Sequence, residues 1–112
     1  METLNAIIQS VSLTSDDHGL LSAWIFVKHQ NGNQGFGGYA LYLPKDFKHH
    51  SIESVAGHFI FRCMQIAEVT EWNKMKGKSI RVKCDYSHIE SIGHIVEDDW
   101  FNPSEDFKYL QD

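Results

Sequence analysis

Leu20-Leu21-Ser22-Ala23-Trp24-Ile25-Phe26-Val27-Lys28-His29, with Gln30-Asn31-Gly32-Asn33-Gln34 behind it, is the stretch whose reading decides the fold. Successive side chains of an extended strand point to opposite faces. Leu21, Ala23, Ile25 and Val27 therefore share one side, and Trp24 and Phe26 the other. A strand apolar on both sides is expected to lie centrally in a sheet and to be covered twice. Asn31-Gly32 is the dipeptide that most readily adopts the positive φ angles of a tight hairpin. It returns the chain into a third strand, expected over Gly35–Leu43 and stopped by Pro44. Upstream, residues 6–14 alternate, with Ile7, Val11 and Leu13 against Ser10, Ser12 and Thr14. That is the pattern of a half-buried first strand, joined to the second by the polar turn Ser15-Asp16-Asp17-His18-Gly19.

Beyond a polar connector at Lys45–His50, Ser51 or Ser54 caps a helix expected to run to about Val69. Val55, Phe59, Cys63, Ile66 and Ala67 recur at helical spacing, and Phe61 and Met64 widen the apolar stripe. His58, Arg62 and Gln65 mark its wetter side. A turn at Glu71–Gly77 follows, in which Trp72 folds back on the helix. Ser79–Tyr86 has Ile80, Val82 and Cys84 inward and Arg81 and Lys83 outward, and His88–Val96 supplies Ile89, Ile92 and Ile95. Asn102-Pro103-Ser104-Glu105 is a helix start with an Asn cap, Pro in the first turn and acids after it. The short final helix is expected to carry Phe107 and Leu110 inward. The order is β-β-β-α-β-β-α. It predicts a single α+β domain over residues 1–112, an antiparallel sheet of about five strands with the long helix packed on one face. The second apolar face of strand two then needs a cover, from the aromatic C-terminal segment or from a second subunit, and a homodimer is the favoured arrangement.

The net charge of −5 is confined to the end of the chain. Residues 1–96 hold nine acids and nine bases; residues 97–112 hold six acids, Glu97, Asp98, Asp99, Glu105, Asp106 and Asp112, against Lys108 alone. Trp100, Phe101, Phe107 and Tyr109 are interleaved with those acids. Such a mixture is too apolar for a solvated tail and too acidic for a plain core segment, and it suits contact with a basic partner. An acidic balance argues against broad, sequence-blind affinity for nucleic acid. No apolar run is long enough for a membrane helix, and Met1-Glu2-Thr3-Leu4-Asn5 has no basic stretch leading into an apolar one, so no secretory signal is expected. Cys63 and Cys84 are then expected to be buried reduced thiols.

Gly35-Phe36-Gly37-Gly38-Tyr39-Ala40-Leu41-Tyr42-Leu43-Pro44, Gly57-His58-Phe59-Ile60-Phe61-Arg62, Trp72, Lys76-Gly77-Lys78-Ser79-Ile80-Arg81-Val82 and Ile92-Gly93-His94-Ile95-Val96-Glu97-Asp98-Asp99-Trp100-Phe101 together resemble a group of small phage and prophage proteins of unknown function. The resemblance runs from about Ile8 to Phe107. It implies a short phage gene product acting in a bacterial cytoplasm, and it carries no catalytic residue.

Seven histidines invite a metal or acid–base reading. His49-His50 are adjacent, His58 follows eight residues later and Asp16-Asp17-His18 is a loop that can approach them, but no metal-ligand spacing is met. Exposed loop histidines are the favoured account, with no metal and no cofactor. For acid–base work His58, one turn from Arg62, would need a partner such as Glu90 or Asp85. Gly35-Phe36-Gly37-Gly38 lacks the spacing of a phosphate loop and leads into a strand, so these glycines are read as room for a bulky aromatic such as Trp24 or Trp72. Lys74, Lys76, Lys78, Arg81 and Lys83 are five bases without an intervening acid. They make the alternative nucleic-acid strip, although alternation puts only Arg81 and Lys83 on one strand face. The leading expectation is a non-enzymatic protein that binds a host protein or complex through Glu97, Asp98, Asp99, Trp100, Phe101, Glu105 and Asp106. An inhibitor of a nucleic-acid-handling defence complex would use such a surface to occupy a basic groove. Regulation and morphogenesis are other roles open to a phage protein of this size.

Overall fold

A computed structural model describes residues 1–17, 20–39, 41 and 55–108. The strands are β1 (Glu2–Asp17), β2 (Leu20–His29), β3 (Gly32–Gly37), β4 (Ser79–Cys84), β5 (Ile89–Gly93) and β6 (Trp100–Phe101). The helices are α1 (Val55–Ala67) and the single turn α2 (Pro103–Asp106), and a 3-10 turn lies at Trp72–Met75. All strand pairs are antiparallel, in one six-stranded sheet of order β3-β2-β1-β4-β5-β6. The fold is α+β, as the alternation and periodicity indicate.

β1 joins two halves of the sheet. Glu2–Ile7 pair with β4, whereas Ile7–Asp17 pair with β2. An irregularity between Ile8 and Ser10 marks the changeover. An extra residue in one strand shifts the side-chain parity and bends the chain. Leu4, Ala6 and Ile8 face the core before it; afterwards Val11 and Leu13 lie opposite buried Ile25 and Ala23. Ile7 is therefore on the outer face, 53% exposed, and not on the side of Val11 and Leu13 as a uniform alternation would have it. The sheet curls enough for its two edge strands to meet. The rings of Phe36 (β3) and Phe101 (β6) are 6.0 Å apart. Phe59 of α1 packs edge-on against both, at 5.6 and 5.4 Å, and all three are buried. α1 thus fills the concave side.

Further departures from the sequence reading have local causes. β3 starts earlier than Gly35 and stops at Gly37, because Gly37 and Gly38 have φ of 139° and 74°, angles that end an extended strand and that L side chains rarely adopt. Ala40 and residues 42–54, including the connector and the Ser51 and Ser54 caps, lie outside the described residues, as do His18, Gly19, Tyr109 and Leu110. The sixth strand is Trp100–Phe101, two residues paired with Gly93 and Ile92. Phe61 does not widen the core stripe: it is 61% exposed. Met75, in the expected polar turn, is fully buried. Finally, β2 is not covered twice by the described residues. Trp24 and Phe26 sit on the outer face, and Trp24 lies over Gly35 and Gly38. Phe26 keeps 40% of its surface.

Candidate interaction surface

The acidic C-terminal segment is fixed to the domain from behind. Strand alternation sends Phe101 into the aromatic core and Trp100 to the outer face of the sheet. Trp100 is half-buried, with its ring against Gly93 so closely that a Cβ there would stand 2.6 Å from it. The Arg81 guanidinium and the Lys83 ammonium lie 4.9 and 4.2 Å from the same ring, within cation–π range. Neither aromatic therefore stands free beside the acids.

Arg62 carries most of the fastening. It projects from α1 and donates to Asp99 Oδ1 at 2.7 Å and to the Trp100 carbonyl at 3.0 Å. Its hydrogen bonds hold the Asp99 carboxyl below its ordinary value. One turn earlier, His58 Nε2 meets Asp106 Oδ2 at 2.7 Å and its ring packs on Phe107 at 5.3 Å. His58 thus pairs with a C-terminal acid instead of Glu90 or Asp85. Asn102 caps α2 by accepting from the Glu105 amide at 3.3 Å, with Pro103 in the first turn. Phe107 packs against the core, as its spacing indicates.

The turn before β6 is built by His94. Its Nδ1 accepts from the amides of Val96 and Glu97 at 3.0 and 2.8 Å, and its Nε2 reaches Glu68 at 2.6 Å. Nδ1 is thus the acceptor that shapes the turn, and Nε2 is the nitrogen that faces Glu68. Arg81 closes the turn by donating to the carbonyls of His94 and Glu97 at 2.7 Å each.

Val96, Glu97 and Asp98 are exposed on this turn, and Glu105 on α2, where it pairs loosely with Lys108 at 3.3 Å. Phe61 lies three residues from His58 and so neighbours it on the outer side of α1. Two large apolar side chains are exposed in these segments, Phe61 on α1 and Val96 on the acidic turn, at 61% and 76%. The sequence reading missed Phe61 because helical spacing also allows it a core position. It expected Trp100 or Phe101 in that role.

The five bases do not make one strip. Lys74, Lys76 and Lys78 are exposed around the 3-10 turn, Lys74 within 3.7 Å of Glu71. Arg81 and Lys83 are on the outer face of β4, as alternation requires. The described histidines have structural contacts: besides His58 and His94, His29 bonds Gln34 at 2.6 Å and His88 meets Asp85 at 3.3 Å. Among the described residues no group of three or more His, Cys, Asp or Glu converges on a metal position; His18, His49 and His50 lie outside them. Cys63 and Cys84 are free and buried, and burial pushes both thiols up. No described helix is long and apolar enough to cross a membrane. Compared with protein-family models, curated proteins and solved structures, the chain matches none.

Proposed function

We propose that the chain is a small phage-type interaction protein that binds a basic surface on a host protein or protein complex, without catalysis. The observation that supports this reading is the stapling of its acidic segment. Arg62 holds Asp99 and the Trp100 carbonyl, and His58 bonds Asp106, so Glu97, Asp98 and Glu105 are the exposed acids of a fastened segment, with Val96 exposed among them and Phe61 exposed on the helix that fastens it. A pre-ordered surface loses less conformational freedom on binding. An exposed aromatic together with a set of like charges suits a partner that offers an apolar notch and a basic surface. The resemblance to phage and prophage proteins implies a partner in a bacterial host, and an inhibitor of a nucleic-acid-handling defence complex fits the charge, since such a complex offers a groove built for phosphates.

The test is a pull-down from bacterial lysate with nuclease present, comparing the natural chain with Phe61→Ala combined with Glu97→Lys, Asp98→Lys and Glu105→Lys. The four positions are exposed, so the melting temperature should hold. A stoichiometric protein captured by the natural chain and lost from the variant supports the reading. Capture that survives the substitutions, or capture of nucleic acid only, overturns it.

A further inference from the structure

The outer face of the sheet carries a second patch, which meets the acidic turn only at Arg81 and Trp100. Between residues 3 and 14 of β1, and along β2 from Ser22, β3, β4, β5 and β6, the residues on this face are hydroxyl, amide, glycine, aromatic, Ile7 and three cations: Lys28, Arg81 and Lys83. The one acid on these strands, Glu90, sits at the irregularity of β5 near Tyr39, which packs against Phe36 and Phe59 on the concave side. Strand register links the members into a strip. Trp24, Phe26 and Lys28 follow one another at alternate positions of β2. Lys28 lies opposite Ile7, Ile7 opposite Ser79, and two residues beyond Ser79 comes Arg81. Arg81 lies opposite Gly93, on which Trp100 rests. The Trp24 and Phe26 rings are nearly parallel, 10° between planes and 5.7 Å between centroids, with Phe26 40% exposed.

We infer that this outer face binds single-stranded nucleic acid, Phe26 with Trp24 stacking on bases and Lys28 and Lys83 meeting phosphates. The inference goes beyond the protein-binding reading and rests on different residues. Charge decides the occupant. A polyanion complements a face with cations and no acid, whereas a second copy docked about a twofold axis would set Lys28, Arg81 and Lys83 against a like-charged face. An exposed aromatic at the end of a cationic strip supplies what a single strand offers and a duplex hides, a base face to stack on. Asp99 and Asp106 are tied to Arg62 and His58 on α1, and the exposed Glu97 and Asp98 border the strip at Arg81, which holds the Glu97 carbonyl, whereas Phe26 and Lys28 lie on β2, two strands away, where screening over about 10 Å weakens the acids' effect.

Fluorescence anisotropy tests this with the full chain, labelled single-stranded DNA and RNA of mixed sequence, and a duplex of the same sequence, over a salt series. Light scattering is recorded in parallel. Single strands should bind more tightly than the duplex. Lys28→Glu should lower the slope of log affinity against log salt by about 0.7, the share of one phosphate contact, and Lys83→Gln should do the same. Phe26→Ala should weaken binding at least about fivefold and leave the slope alone. DNA bound in preference to RNA, or the reverse, identifies the source of the strand and supports the inference in either case. The inference is overturned by no binding at low salt, by equal binding of the duplex, or by binding that Lys28→Glu and Phe26→Ala variants of unchanged melting temperature retain. It is equally overturned by a dimer that Phe26→Ala dissolves, since a second copy would then own the face.

Discussion

At the scale of single residues, the glycines decide where the tryptophans go. Trp100 can lie flat only because Gly93 has no side chain: its ring atoms stand 2.6–2.7 Å from where a Cβ would be. Trp24 uses Gly38 in the same way, at 2.4 Å. A Gly93→Ala substitution forces the indole off the strand and should cost about 1–3 kcal/mol. Urea unfolding checks this, and in a Trp100→Ala background the cost should largely vanish, because the clashing ring is gone. Asp85 shows a residue shaping its own turn. It accepts from the Ser87 hydroxyl at 2.7 Å and from the amides of Ser87 and His88, and these bonds lower its carboxyl to about 2. That the glycines make room for a bulky aromatic follows from residue types alone; that it is Trp24 and not Trp72 is decided by the pairing of β2 with β3. That Gly93 does so for Trp100 does not follow from residue types, since the two are seven positions apart and meet only through pairing of β5 and β6.

At the scale of elements, the C-terminal segment is held by side chains of α1. Phe101 and Trp100 set its alternation, but Arg62 and His58 set its position. The Asp99 carboxyl lies below the ordinary 3.8 in the folded chain. Its contribution to stability is therefore fully present above the unfolded value and is lost as pH falls through the folded one. Replacing Asp99 by Asn should flatten the decline in stability below about pH 4. At neutral pH the loss should be about 1 kcal/mol or less, because the Asp99 side chain is 47% exposed and the pair is screened. Melting curves of the two proteins between acid and neutral pH check the sign. A steeper acid decline in the Asn variant would refute the clamp. The wet stripe of α1 and the Asn102 cap were legible in the spacing of the residues. Their pairing across the fold was not, because Arg62 and Asp99 are far apart in sequence.

At the scale of the whole molecule, the sheet closes through an aromatic trio. Phe36, Phe59 and Phe101 come from β3, α1 and β6, and they join the sheet's two edges through the helix. Phe101→Ala should therefore cost about 3–5 kcal/mol, as truncation of a fully buried phenylalanine does. Phe61→Ala, on the exposed face of α1, should stay within about 0.5 kcal/mol. Denaturant unfolding of the pair distinguishes a core phenylalanine from a surface one. Equal costs would mean that Phe61 is not surface in solution. The same closure separates two faces of opposite character, with fastened acids on the helix side and a cationic, aromatic outer sheet.

The sequence by itself determined the order of the longer elements, the Asn31-Gly32 hairpin, the inward side of β4, the buried stripe of α1 and the concentration of acid at the end of the chain. Those are properties of residue type and local period, and a strand or helix expresses them wherever it is placed. Tertiary structure alone decided which of two adjacent aromatics became core, which face Ile7 and Phe61 took, and which acids were fastened and which left exposed. Each of those outcomes depends on a partner distant in the chain or on a single extra residue in β1, and neither leaves a mark on composition or spacing.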